Sequence, residues 1–66
     1  MKVSVNGEAR EAPEGATLLA LLEALGLVPG RVAVERNGAV VRRGTYDAVR
    51  LEEGDRLEIV QLVGGG

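Results

Sequence analysis

Few residues in this sequence are equipped to do chemistry. It contains no Cys and no His. That removes the thiolate nucleophile, the side chain that exchanges protons near neutral pH, disulfides and the usual zinc ligands. Carboxylates remain as acid or base candidates: Glu8, Glu11, Glu14, Glu52, Glu53 and Asp55. All six sit among turn and surface signals and read as solvated charge. No phosphate-cradling glycine motif precedes a helix. The pattern argues against an enzyme that acts alone. What stands out instead is "LVGGG", Leu62 to Gly66. Glycine loses more conformational freedom on ordering than any other residue, so three in a row add nothing to stability. Either the run is a frayed end or cloning remnant, or its lack of side chains is the functional feature.

Sixty-six residues allow one small domain. A domain of that size buries about 60% of the surface that its unfolded chain exposes, so its core is thin. Without disulfides or a metal, the core must come from Leu, Val, Ile and Ala, which the 45% hydrophobic content permits. Eight basic and ten acidic residues are interspersed, for a net charge of −2. No basic block suggests nucleic acid, and Tyr46, the only aromatic, offers almost no stacking platform. No apolar run approaches the length of a membrane span, and no signal-peptide core is evident. Absence of Cys is compatible with a reducing cytoplasm.

The elements that must hold the tail are legible from local signals. "KVSVNGEAREA" predicts a hairpin: Val3 and Val5 alternate with Lys2 and Ser4, and Asn6-Gly7 tolerates the positive φ of a type I′ turn. "PEGAT" breaks the strand, and Thr17 is placed to cap a helix. Leu18, Leu21, Leu22 and Leu25 follow at i, i+3, i+4 and i+7, one apolar face that can lie across a sheet. Gly26 stands where a left-handed cap belongs, with Pro29 shortly after. "RVAVERNGAVVR" predicts a second hairpin about Asn37-Gly38, with Val32 and Val34 on one face and Arg31 and Glu35 on the other. "GTYDAVRLEEGD" is irregular: Tyr46 is expected to fill a satellite core beneath it, and "EEGD" to turn. "RLEIVQLV" is the last strand, with Leu57 and Ile59 pointing one way. Hairpin, helix, hairpin, irregular crossover and strand suit an α+β domain with one helix on one face of a mixed sheet.

That last strand carries a second signal. Its start alternates, but Val60, Leu62 and Val63 make its far end apolar on both faces. A central strand covered on both sides would read this way. So would a strand whose outer face meets a partner.

From "VNG" through "TLLALLEALGL" and "VAVERNG" to "GDRLEIVQLVGGG", the sequence resembles the ThiS family of thiamine-biosynthesis sulfur carriers, over essentially its whole length. "VERNG" and the terminal glycines are the most specific pieces. The resemblance implies a ubiquitin-like β-grasp fold of about five strands and one main helix. It divides the chain into a β-grasp domain at 1–63 and a flexible glycine tail at 64–66. It also implies a cytoplasmic protein that is a co-substrate and sulfur donor, with no catalytic side chain and no tightly bound cofactor.

In that family the terminal carboxylate, here on Gly66, is adenylated by a separate E1-like activating enzyme that uses ATP. Sulfur from a persulfide donor then replaces AMP, and the resulting thiocarboxylate donates sulfur to thiazole synthase. The chemistry accounts for the glycines. A carboxylate is a poor acyl donor because its charge is delocalised and its oxygen leaves badly; an acyl-adenylate has a good leaving group. Gly64, Gly65 and Gly66 reach roughly 10 Å when extended. Without Cβ atoms they can thread a narrow channel and leave the acyl carbon open to attack. Gly64 lies outside the family's minimal terminal Gly-Gly. For partner contact the expected residues are Val60 and Leu62.

The tail by itself does not separate related recipients. A molybdopterin-synthase small subunit, a carrier for tRNA thiolation and a ubiquitin-like modifier also end in Gly-Gly. A plain interaction module with an inert tail is a further alternative.

Overall fold

The structure, a computed structural model, describes residues 1–63; the expectation for the glycine tail lies outside the described residues. Five strands form one sheet: β1 (Lys2–Val5), β2 (Glu8–Glu11), β3 (Val32–Arg36), β4 (Ala39–Val41) and β5 (Arg56–Gln61), in the spatial order β2-β1-β5-β3-β4. The β1–β5 pair is parallel and the others are antiparallel. Among the described residues one α-helix, α1 (Leu18–Ala24), connects the hairpins.

Both predicted hairpins form for the predicted reason. Asn6 and Gly7 have φ of 51° and 86°, and Asn37 and Gly38 have 52° and 87°. Two consecutive residues at positive φ are what a type I′ turn requires, and that turn matches the twist of the strands it joins. The helix begins where Thr17 Oγ1 accepts a hydrogen bond from the Ala20 amide at 3.1 Å. It ends in a Schellman motif. Gly26, at φ 75°, donates to the Glu23 carbonyl, and Leu27 donates to the Leu22 carbonyl.

The periodic leucines face the sheet. Leu18, Leu21 and Leu22 are buried and Leu25 is half-buried, against Val3, Val5, Val32, Val34, Leu57 and Ile59. Burying each such aliphatic side chain stabilises the fold by about 1.5–3 kcal/mol before chain entropy is subtracted. Tyr46 and Leu51 complete this one-sided core.

Two sequence expectations need correction. Tyr46 fills no satellite cluster but belongs to the main core, where its hydroxyl donates to the Val32 carbonyl at 3.2 Å. The crossover that carries it includes a 3₁₀ turn, Arg43–Thr45. It is pinned to the helix start by the Leu18 amide on the Val49 carbonyl and the Leu51 amide on the Ala16 carbonyl. Asp55, read as solvated charge, is 5% exposed. The other five carboxylates of that group are exposed as expected.

Candidate functional site

β5 delivers the chain to the tail, and it is built as two unlike halves. Its first half is enclosed on both edges. On one side, the Ser4 and Asn6 amides donate to the carbonyls of Asp55 and Leu57. On the other side lies β3, with Glu35 opposite Glu58 and Arg36 opposite Leu57. Leu57 and Ile59 point into the core at 1% and 7% exposure.

The two turn asparagines reinforce this half, a role their positions in the sequence do not reveal. β1 ends at Val5, short of Ile59. The Asn6 side chain replaces the missing backbone, accepting from the Ile59 amide at 2.8 Å and donating to its carbonyl at 3.0 Å. Asn37 acts at the other end: its Oδ1 accepts from the Arg56 amide at 2.8 Å, and its Nδ2 donates to Asp55 Oδ1 at 3.1 Å.

Asp55 organises the turn that leads into the strand. Its carboxylate accepts from the Glu52 amide at 2.8 Å and from Arg36 Nε at 2.9 Å, besides Asn37. Burial acts to raise its pKa. The hydrogen bonds from Glu52, Asn37 and Arg36, with the guanidinium charge, outweigh that and hold the carboxyl below its ordinary range. The only signal in the sequence was Asp after Gly at the end of a turn, which fits a capping role as well as solvated charge.

The second half of β5 is open. Among the described residues no strand flanks it past Asn6 on the β1 side, and the last backbone anchor is the Leu62 amide on the Arg31 carbonyl at 2.8 Å. Val60 is 61% exposed, Leu62 48% and Val63 97%. Of the two readings offered for this apolar run, a strand covered on both faces is not what forms: β5 is central in the sheet, but α1 covers one face only. Val60 stands opposite Ala33 on the open face. Leu62 borders a cavity of about 150 Å³ that it shares with Gly26, Val28, Arg31, Val32 and Gln61. Val28, which sequence reasoning did not single out, is exposed beside it. One row along the same face, Glu35 and Glu58 are paired across the strands, and neither makes an ion pair among the described residues. Like charges directly opposite weaken a sheet.

Among the described residues no group of three His, Cys, Asp or Glu side chains could hold a metal ion, and no helix is long and apolar enough to cross a membrane. The described part of the candidate site is an anchored strand and the exposed apolar residues that follow it.

A mixed sheet ordered 2-1-5-3-4, with one helix packed across one face between two hairpins, is a β-grasp domain. Its backbone superposes on the crystal structure of a thiamine biosynthesis protein (ThiS) from Geobacter metallireducens with a TM-score of 0.84. The two are 35% identical, and each chain is covered in full. The model of the ThiS family matches residues 3–66, and the chain belongs to that family. Two longer proteins named thiazole synthase are also similar over all 66 residues. The one from Magnetococcus marinus is 56% identical and the one from Paramagnetospirillum magneticum 46%. The chain spans only about 20% of the length of each.

Proposed function

We propose that this chain carries sulfur as a thiocarboxylate on Gly66 and gives it to a thiazole synthase. The carboxylate attacks the α-phosphorus of ATP on a separate E1-like enzyme, releasing pyrophosphate and leaving an acyl-adenylate. The terminal sulfur of a persulfide then attacks the acyl carbon and AMP departs. A second thiol, supplying two electrons, frees the thiocarboxylate and leaves a disulfide on the donor side. Nothing in these steps asks for a side chain of the carrier, which agrees with a sequence that lacks Cys and His.

The observation that carries this reading is the family match through residue 66, glycines included, joined to a strand whose exit is exposed. Thiazole synthase is favoured over the molybdopterin and tRNA-thiolation recipients by its name on two relatives that contain the whole 66-residue region. Val60 and Leu62 are proposed as the contact surface for the activating enzyme, since both are apolar, exposed and adjacent to the tail.

The test uses a carrier ending freely at Gly66, incubated with activating enzyme, ATP and a persulfide source, then with thiazole synthase. Mass analysis of the terminal peptide is expected to show one oxygen replaced by sulfur and labelling by a thiocarboxylate-selective reagent. Localisation to that peptide matters because oxidation of Met1 shifts the intact mass almost equally. Deleting Gly66 should abolish AMP transfer; transfer at the normal rate without it would refute the assignment. Sulfur on Gly66 that passes to a different synthase would move the recipient and leave the carrier chemistry standing.

A further inference from the structure

The two turn asparagines that fasten β5 also carry a chemistry that the candidate site does not use. An asparagine followed by glycine can be attacked on its own side chain, because glycine has no Cβ to hinder its backbone nitrogen. Each hairpin holds one such pair, Asn6-Gly7 and Asn37-Gly38, and all four residues are exposed to water. At the second pair, the Gly38 nitrogen bonds to the Asn37 Cγ and the Cγ–Nδ2 bond breaks. Nδ2 leaves as ammonia, taking the proton of the glycine amide, and a succinimide ring remains. Water then opens the ring at one of its two carbonyls, giving aspartate or, with the main chain rerouted through Cγ, isoaspartate. The balance is one water consumed and one ammonia released, with no oxidant or reductant.

Three hydrogen bonds hold each asparagine away from ring closure, and the two sets differ in kind. The Asn6 amide donates to the Leu57 carbonyl at 2.8 Å, and its side chain engages only the backbone of Ile59. The Asn37 amide donates to the Arg56 carbonyl at 2.7 Å, and Oδ1 accepts from the Arg56 amide. Its Nδ2, the leaving group of the reaction, is held by the Asp55 carboxylate at 3.1 Å. Conversion at position 6 keeps the bond from the Ile59 amide and loses the one to its carbonyl. Conversion at position 37 replaces the Nδ2 donor with a carboxylate oxygen facing Asp55 Oδ1. Like charges that close disfavour each other. Arg36 is already committed to Asp55 Oδ2 and to the Arg50 carbonyl.

We propose that Asn37 is a deamidation site, held closed by Asp55 in the folded chain, whose conversion releases the start of β5 and is not undone by refolding. Reaction proceeds from the opened turn, so its rate follows how often the Asn37–Asp55 contact is broken. Once converted, the position repels the group that guarded it, and the modification is one-way. An isoaspartate adds a further main-chain atom to the two-residue turn between Arg36 and Ala39, which the register of β3 with β4 does not accommodate. The inference is independent of the tail chemistry and needs no reagent but water.

The test incubates the full chain at mildly alkaline pH, in native buffer and in urea, and follows each turn separately. Ion exchange resolves the added negative charge, and mass mapping of peptides assigns it to position 6 or 37. Asn37 is expected to convert at least roughly tenfold faster in urea than in native buffer, a guard of about 1.4 kcal/mol. In native buffer, Asp55→Ala should speed conversion at Asn37 severalfold and leave Asn6, the internal control, unchanged. A stability measurement reads the product without waiting for the reaction. Asn37→Asp should lower the thermal midpoint more in the wild-type background than beside Asp55→Ala, since only the former places two carboxylates together. Equal rates at Asn37 in buffer and urea would overturn the proposal. So would an Asp55→Ala chain in which both sites accelerate alike or neither does, or an Asn37→Asp loss that is the same in both backgrounds.

Discussion

The two halves of β5 share a strand and an aliphatic composition but not a job. Leu57 and Ile59 lie between two paired strands, beneath α1, with an asparagine amide at each end. Val60, one residue beyond Ile59, has one flanking strand and is mostly exposed, and Leu62, just past the end of the strand, is about half exposed. Aliphatic side chains left in water contribute little to stability, so an exposed run of them beside a chain exit is better explained by what it meets than by what it supports.

This contrast can be broken most directly at its core end. Leu57→Ala should cost about 2–5 kcal/mol, because the fully buried site cannot collapse around the lost atoms. Denaturant unfolding measures it, and a loss below about 1 kcal/mol would mean that the first half is not the anchor.

Asp55→Ala comes next, at about 2–3 kcal/mol, since it strands the partly buried Arg36 and the Glu52 amide. The wild-type protein should show the same interaction as a pH dependence. A carboxyl held below its unfolded value stabilises fully above that value, about pH 4. The contribution is lost as pH falls further, through the depressed folded value. Stability of the Asp55→Ala variant should therefore fall less steeply below pH 4. Parallel slopes for the two proteins would show that Asp55 is not the responsible group.

Asn6→Gly sharpens the comparison because it keeps the type I′ turn and removes only the side-chain bonds to Ile59. We expect a cost of about 1–2 kcal/mol, with faster hydrogen exchange at the Ile59 amide and unchanged exchange at Leu62. Leu62→Asp should lie within about 0.5 kcal/mol of wild type in stability while slowing AMP transfer by the activating enzyme at least tenfold, about 1.4 kcal/mol. Unfolding by Leu62→Asp would place that residue with the structural half instead. Smallest is Glu58→Gln, which relieves the facing Glu35 and should stabilise by a few tenths of a kcal/mol. A loss of stability there would reveal a favourable contact for Glu58.

Much of the fold was legible because it is encoded within a few residues of itself. Asn-Gly adopts positive φ whatever it is attached to, Thr17 caps the turn that follows it, and leucines at helical spacing make a face before any sheet exists to receive it. In the candidate site, Val60 and Leu62 could be named, but whether they were covered could not. That depends on how many faces of the sheet the single helix reaches.

The sequence by itself thus determined the order of elements, both turns, both helix ends, the one-sided apolar stripe and the absence of thiol or imidazole chemistry. Tertiary structure alone decided four further things: the burial of Asp55, the place of Tyr46 in the main core, the service of Asn6 and Asn37 to β5, and the open face around Val60. The physical reason is distance along the chain. Asn6 meets Ile59 across 53 positions and Arg36 meets Asp55 across 19. A polar side chain's choice between water and a buried partner is settled only once the fold has brought that partner within hydrogen-bonding reach.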